Sequence, residues 1–190
     1  MRISLPADHL FRRYGDVQSF ISPILPEEDF FEASRLMRVR DFTIGILPFG
    51  YPAEAVLDPD SLRFPTQWSG IFFNYHERWV PFDGAKRFAL DRAYLHFYLT
   101  PLDDLQAASL HCDPSLDRTE ANFSYKRGPH LHIAGAIPDI SRSHLSICAS
   151  DNALGGNNLG SLTRTLKSGL SLIIDELIPK YCRHIEGLAA

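Results

Sequence analysis

Three runs in the middle of the chain alternate residue by residue: "AYLHFYLT" (93–100), "HLHIAG" (130–135) and "SHLSICA" (143–149). A two-residue period marks β-strands, because successive side chains leave opposite faces of a sheet. In the first run Leu95, Phe97 and Leu99 share one face, and Tyr94, His96 and Tyr98 share the other. In the second, Leu131 and Ile133 oppose His130 and His132; in the third, Leu145 and Ile147 oppose His144, Ser146 and Cys148. All three runs divide alike, with aliphatic residues toward a core and His, Tyr, Ser or Cys away from it. A sheet with one polar face is thereby required.

Further strand-like runs lie at 39–47, 70–76, 87–91 and 121–127. The later runs are joined by linkers too short for crossover helices, so antiparallel pairing is expected. "PADHLFRRYGDVQSFI" (6–21) places Leu10, Phe11, Tyr14, Val17 and Ile21 on one helical face. "LPEEDFFEASRLM" (25–37) has the acidic first turn of a second helix. Residues 49–68 are punctuated by proline and read as a surface connection, and 149–161 as a polar, glycine-rich loop. Ser161 is a fair N-cap for a last helix with Leu162, Leu166, Leu170, Ile173 and Leu177 in one stripe, ended by Pro179. Together these segments predict one α+β domain over residues 1–190. Its sheet is mostly antiparallel, with N-terminal helices and a C-terminal helix packed on one face.

Composition narrows the function classes. A net charge of -4 provides no global attraction for nucleic acid or anionic membrane, so any anion site is local. Cys112, Cys148 and Cys182 are few, odd in number and form no CxxC pair, which argues against a disulfide framework or a cysteine zinc site. The opening "MRISLPADHLFRRYGD" lacks an apolar core of signal length, and no window reaches a membrane span. The expectation is a cytoplasmic protein without a membrane partner.

Residues 130–134 and 144–148 are expected to pair as a hairpin, bringing His130, His132, His144 and Ser146 onto one patch. Two imidazoles can serve as base and acid in one turnover. Lys126, with Arg127 beside it, would steady negative charge. Ser146, Tyr98, His130 and His96 would bind substrate, the tyrosine stacking an unpaired base. The leading expectation is therefore a metal-independent phosphodiesterase or ribonuclease-like hydrolase, with His132 and His144 as catalytic pair and RNA as the substrate class. No cofactor is needed for that chemistry. Zinc held by His130, His132 and His144 is the alternative, with Asp139, Asp151 or Cys148 as a further ligand. The plain alternative is a solvated sheet face, where His, Tyr and Ser are all acceptable.

A non-catalytic module (an antitoxin, immunity protein or complex subunit) is the rival from another class. In "FPTQWSGIFFNYHERWVPF" (64–82), Trp68, Phe72, Phe73, Tyr75 and Trp79 would form an aromatic anchor for a protein partner, unless they fill the core. "HLSI" (144–147) resembles one half of the paired His-x-Ser/Thr motifs of the 2H phosphoesterases, which process cyclic phosphates. The resemblance covers a single strand, and His132 stands where the second motif of "HLHI" needs a hydroxyl, so it carries no activity over. "LPFGYPAEAVL" (47–57) resembles the segment ahead of the active site in ubiquitin-conjugating enzymes, with Cys148 as the corresponding nucleophile, but Cys148 lies nearly a hundred residues beyond Tyr51-Pro52, farther than that pattern allows. His111 and Cys112 adjoin Asp113-Pro114 at a loop or strand end, and Cys182 and His184 fall beyond the last helix.

Overall fold

The alternating runs build one antiparallel sheet. The computed structural model describes residues 3–26, 34–39, 43–48, 62–83, 86–99, 106–112, 129–135, 137–138, 140–147 and 159–189, with backbone alone for 34–39 and 43–48. Its strands are β1 (Ser4–Pro6), β2 (Ser34–Val39), β3 (Thr43–Pro48), β4 (Phe64–Pro65), β5 (Phe72–Phe82), β6 (Arg87–Tyr98), β7 (Gln106–Cys112), β8 (His130–Ile133) and β9 (Ser143–Ser146). The order β2-β3-β5-β6-β7-β8-β9 is an antiparallel meander, with β1 added to β6 and β4 to β5. Apart from β1, each strand pairs with a near neighbour in sequence, the topology that short linkers favour.

Two irregularities let the long strands bend. Arg78 pairs with Arg92 but Trp79 with Leu90, which leaves Asp91 as the extra residue of a bulge. Phe97 pairs with Ala108 but Tyr98 with Gln106, so Ala107 is extra on β7. The Ala107 carbonyl accepts the Tyr181 hydroxyl at 2.9 Å and the Ala134 amide at 3.0 Å.

Helices α1 (Ala7–Ile21), α2 (Leu159–Leu172) and α3 (Ile178–Ala189) cover one face, with a π-helical turn, Ile173–Leu177, between α2 and α3. Beneath them Phe73, Tyr75, Leu90, Leu95, Phe97, Leu110 and Leu131 are fully buried, packed with Phe20, Leu166 and Ile173. Gly169 lets α2 approach the sheet closely: a Cβ there would lie 2.7 Å from Leu110 Cδ1. The architecture is α+β, as the alternation predicts.

Among the described residues, one charged cluster sits inside this apolar layer. Arg13 of α1 donates through Nε to both Glu77 oxygens (3.0 and 3.1 Å) and through Nη2 to Oε1 (2.5 Å). The Tyr75 hydroxyl also donates to Oε1, and Trp79 Nε1 donates to Oε2 at 2.9 Å. Arg13 Nη1 reaches Thr163 Oγ1 of α2 at 2.5 Å. Burial alone would lower the Arg13 pKa, but the Glu77 charge and its hydrogen bonds lift it above the usual arginine value. Burial pushes the Tyr75 hydroxyl well up, so it stays a donor.

Several expectations need correction. Ser34–Val39 is a strand, not the end of a second helix, because six backbone pairs with β3 outweigh helical composition. The separate runs 87–91 and 93–100 are one strand, continuous through the bulge. The last helix starts at Leu159, so Ser161 lies inside it rather than ahead of it. Pro179 does not end it. The π turn shifts the hydrogen-bond ladder, and the proline falls in the first turn of α3, where its missing N–H is tolerated. Cys182 and His184 accordingly lie within α3. The expected helix over 27–33 and strand over 121–127 lie outside the described residues, as do Lys126, Arg127, Asp139, Cys148 and Asp151.

Candidate metal centre on the histidine face

The register sets the polar residues of β5 to β9 in two rows across the sheet. One row runs His76, Tyr94, His111, His130, Ser146; the next runs Asn74, His96, Ser109, His132, His144. Six of the chain's eight histidines therefore share one face, opposite the helices. The parity read from the sequence places His96, Tyr98, His130, His132 and His144 there correctly, and Ser146 joins them by its backbone register.

Side chains on neighbouring strands meet as directly opposed or diagonal partners. His132 and His144 are opposed, and their rings stack with centroids 4.0 Å apart. His130 lies 4.8 Å from both. His111 of β7, opposite His130, sits 4.7 Å from His132 and 5.6 Å from His130. One nitrogen from each of His111, His130 and His132 lies within 4.8 Å of the others. This trio differs from the expected one, with His111 in the place given to His144.

Burial is uneven across the face and least at β9. His76 and His130 are 3% and 1% exposed, His111 and His132 are half-buried, and His144 is exposed. The site is thus closed at β5 and open at β9. At the closed end the Arg63 guanidinium lies 3.4 Å over the Tyr98 ring. His96 bonds in two directions, its Nδ1 2.9 Å from the Tyr98 hydroxyl and its Nε2 2.9 Å from His111 Nε2. Tyr94 stacks on His111 at 4.2 Å. Burial, then the nearby His76 and Arg63, lower the His96 pKa to about 3. Burial, then His96 and His132, lower that of His111 to about 2. Both rings are neutral at physiological pH, the state in which imidazole ligates metal.

His111 and His76 were not recognised from sequence as site residues. The parity of "QAASLHC" (106–112) carries the signal, since Ser109 and His111 alternate with Ala108, Leu110 and Cys112. Small residues there blunt the apolar contrast. Cys112 points the other way and is buried in the core, away from His111. Of the expected aromatic anchors, Phe73, Tyr75 and Trp79 are fully buried, so they fill the core and present no surface.

An antiparallel meander with a helical layer on one face and a histidine-lined opposite face defines the class of this protein. Against protein-family models, curated proteins and solved structures, the chain has no match. Among the described residues no helix is long and apolar enough to cross a membrane.

Proposed function

We propose that the protein is a metal-dependent hydrolase of phosphodiester bonds, its ion held by His111, His130 and His132. The carrying observation is the convergence of three ring nitrogens from adjacent strands within 4.8 Å. A zinc-type ion takes bonds of about 2.0–2.1 Å to nitrogen, which puts tetrahedral ligands roughly 3.3 Å apart. Rotation of the three rings would have to close that difference as the ion binds. Three protein ligands leave one coordination position open, and such an ion lowers the pKa of water and polarises phosphoryl oxygen.

The protein's own groups supply the rest. His144, exposed at the open end and 4.8 Å from the His130 ring, is suited to passing a proton to or from a substrate oxygen. The Arg63 guanidinium, 3.4 Å over the Tyr98 ring, brings a cation to the same face, a group that an anionic substrate such as RNA would use. A second reading is the metal-free acid/base pair His132 and His144, favoured by their 4.0 Å stack.

The test is cleavage of labelled RNA and of bis(p-nitrophenyl) phosphate after chelation and dialysis, then with zinc, manganese or cobalt restored. Activity absent without metal, regained with it and missing in His111→Ala supports the metal centre. Cleavage that persists in EDTA and vanishes in His144→Ala supports the acid/base pair instead. Absence of both metal uptake and cleavage sinks both readings.

A further inference from the structure

Two imidazole nitrogens 2.9 Å apart hold one proton between them, since two bare lone pairs repel and two N–H groups clash. His96 Nε2 and His111 Nε2 are such a pair, and His96 Nδ1 is in turn 2.9 Å from the Tyr98 hydroxyl. Only two proton arrangements satisfy both contacts. In one, the Tyr98 hydroxyl donates to His96 Nδ1, His96 Nε2–H donates to His111 Nε2, and the His111 proton sits on Nδ1. Both His111 nitrogens are then taken, and neither has a lone pair for an ion. In the other, His111 Nε2–H donates to His96 Nε2, and His96 Nδ1–H donates to the Tyr98 oxygen. His111 Nδ1 is then bare.

Resting on the metal-centre reading above, we infer that the chain His111–His96–Tyr98 runs in the second direction. His96 and Tyr98 are then positioning residues that fix His111 as the Nε2–H tautomer and leave Nδ1 to coordinate the ion. Ligating histidines generally donate their other N–H to a fixed acceptor, which sets the tautomer and orients the ring. His111 is held on two further sides, by the Tyr94 ring stacked at 4.2 Å and by its backbone pairing with His130. His96 is buried at 8% exposure, so water competes poorly for its acceptor nitrogen.

Two measurements test this. Nitrogen-15 NMR of the metal-free wild-type protein reads the His111 tautomer directly; a proton on Nε2 is expected, and a proton on Nδ1 overturns the inference. Zinc affinity is then read by competition with a chromophoric chelator. His96→Ala is expected to bind one zinc about 10- to 100-fold more weakly. His96→Gln, whose carbonyl can accept from His111 Nε2–H, is expected to recover part of that loss. Tyr98→Phe should show a smaller loss. Unchanged affinity in His96→Ala, with wild type binding normally, overturns the positioning role alone. X-ray absorption showing four imidazoles around zinc, falling to three in His96→Gln, also overturns it by making His96 a ligand. Wild-type protein that takes up no zinc overturns the centre itself and the positioning role with it.

Discussion

Strand β5 carries two buried polar clusters on its opposite faces, and they are built by different rules. On the helix side, Glu77 accepts from Arg13, Tyr75 and Trp79, and Arg13 also reaches Thr163. Charge meets opposite charge and each donor has an acceptor, which is how a buried ion pair is made tolerable. On the other face, Asn74 and His76 begin two rows in which imidazole is packed against imidazole. Ser109 Oγ is buried there and makes no hydrogen bond among the described residues. The first cluster ties α1 and α2 to the sheet. The second gathers imidazole nitrogens from adjacent strands within ligand distance of one another, which is why it carries the proposal of a metal centre.

Breaking the first cluster should cost the most stability. Glu77→Gln leaves Arg13 buried without its counter-charge, and loss of one partner of such a pair typically costs about 3–5 kcal/mol. Urea unfolding checks this, and a loss below about 1 kcal/mol would show the pair to be ornamental. Zinc uptake by the folded fraction should be unchanged, because Glu77 faces away from the histidines.

Acid should act on the second cluster. His96 and His111 titrate at about 3 and about 2 in the fold, mainly through burial, against 6.5 in an open chain. Below pH 6.5 the unfolded chain therefore binds more protons, and stability falls as pH is lowered toward those folded values. Above about pH 7.5 the two groups add no slope. Metal-free protein should lose on the order of a few kcal/mol between pH 6.5 and 4 through these residues. The contrast with a His96→Gln/His111→Gln double variant isolates their share from that of the carboxylates. Equal slopes in the two proteins would refute the assignment.

His111→Ala should separate the faces in a different way. The half-buried ring leaves the helix-side core untouched, so the thermal midpoint should shift by a few degrees at most. Zinc affinity should drop by at least about 100-fold, as expected when one of three ligands is removed. A large loss of stability with affinity retained would reverse the roles given to the two clusters.

Legibility in the sequence follows the same divide. The polar face could be read because His and Tyr alternate with Leu and Phe on β6, β8 and β9, and parity needs no knowledge of the register. His111 escaped because Ala107, Ala108 and Ser109 weaken the contrast along β7, although the residue sits in the middle of the histidine rows. The Arg13–Glu77 pair was invisible for a different reason. Its partners stand 64 positions apart, and Glu77 lies at a core position where a charge breaks the expected pattern. The β2 strand was hidden because its pairing with β3, rather than its own composition, determines its conformation.

The smallest effect is the finest probe of the comparison, because it deletes one hydroxyl on each face. Thr163 Oγ1 accepts from the Arg13 guanidinium and donates to the Leu159 carbonyl at 3.0 Å. Thr163→Ala should therefore cost about 1–2 kcal/mol, the range for hydrogen bonds to a charged group. Ser109 is fully buried between His96 and His132 in its row. Removing its hydroxyl should leave stability unchanged or raise it by up to about 1 kcal/mol, since no described partner is stranded. If the proposed centre draws on Ser109 Oγ, which lies beside His132 in its row, turnover of bis(p-nitrophenyl) phosphate should fall in Ser109→Ala and not in Thr163→Ala. If both substitutions destabilise equally and neither affects turnover, the two faces do not differ in kind, and the histidine face is ordinary packing.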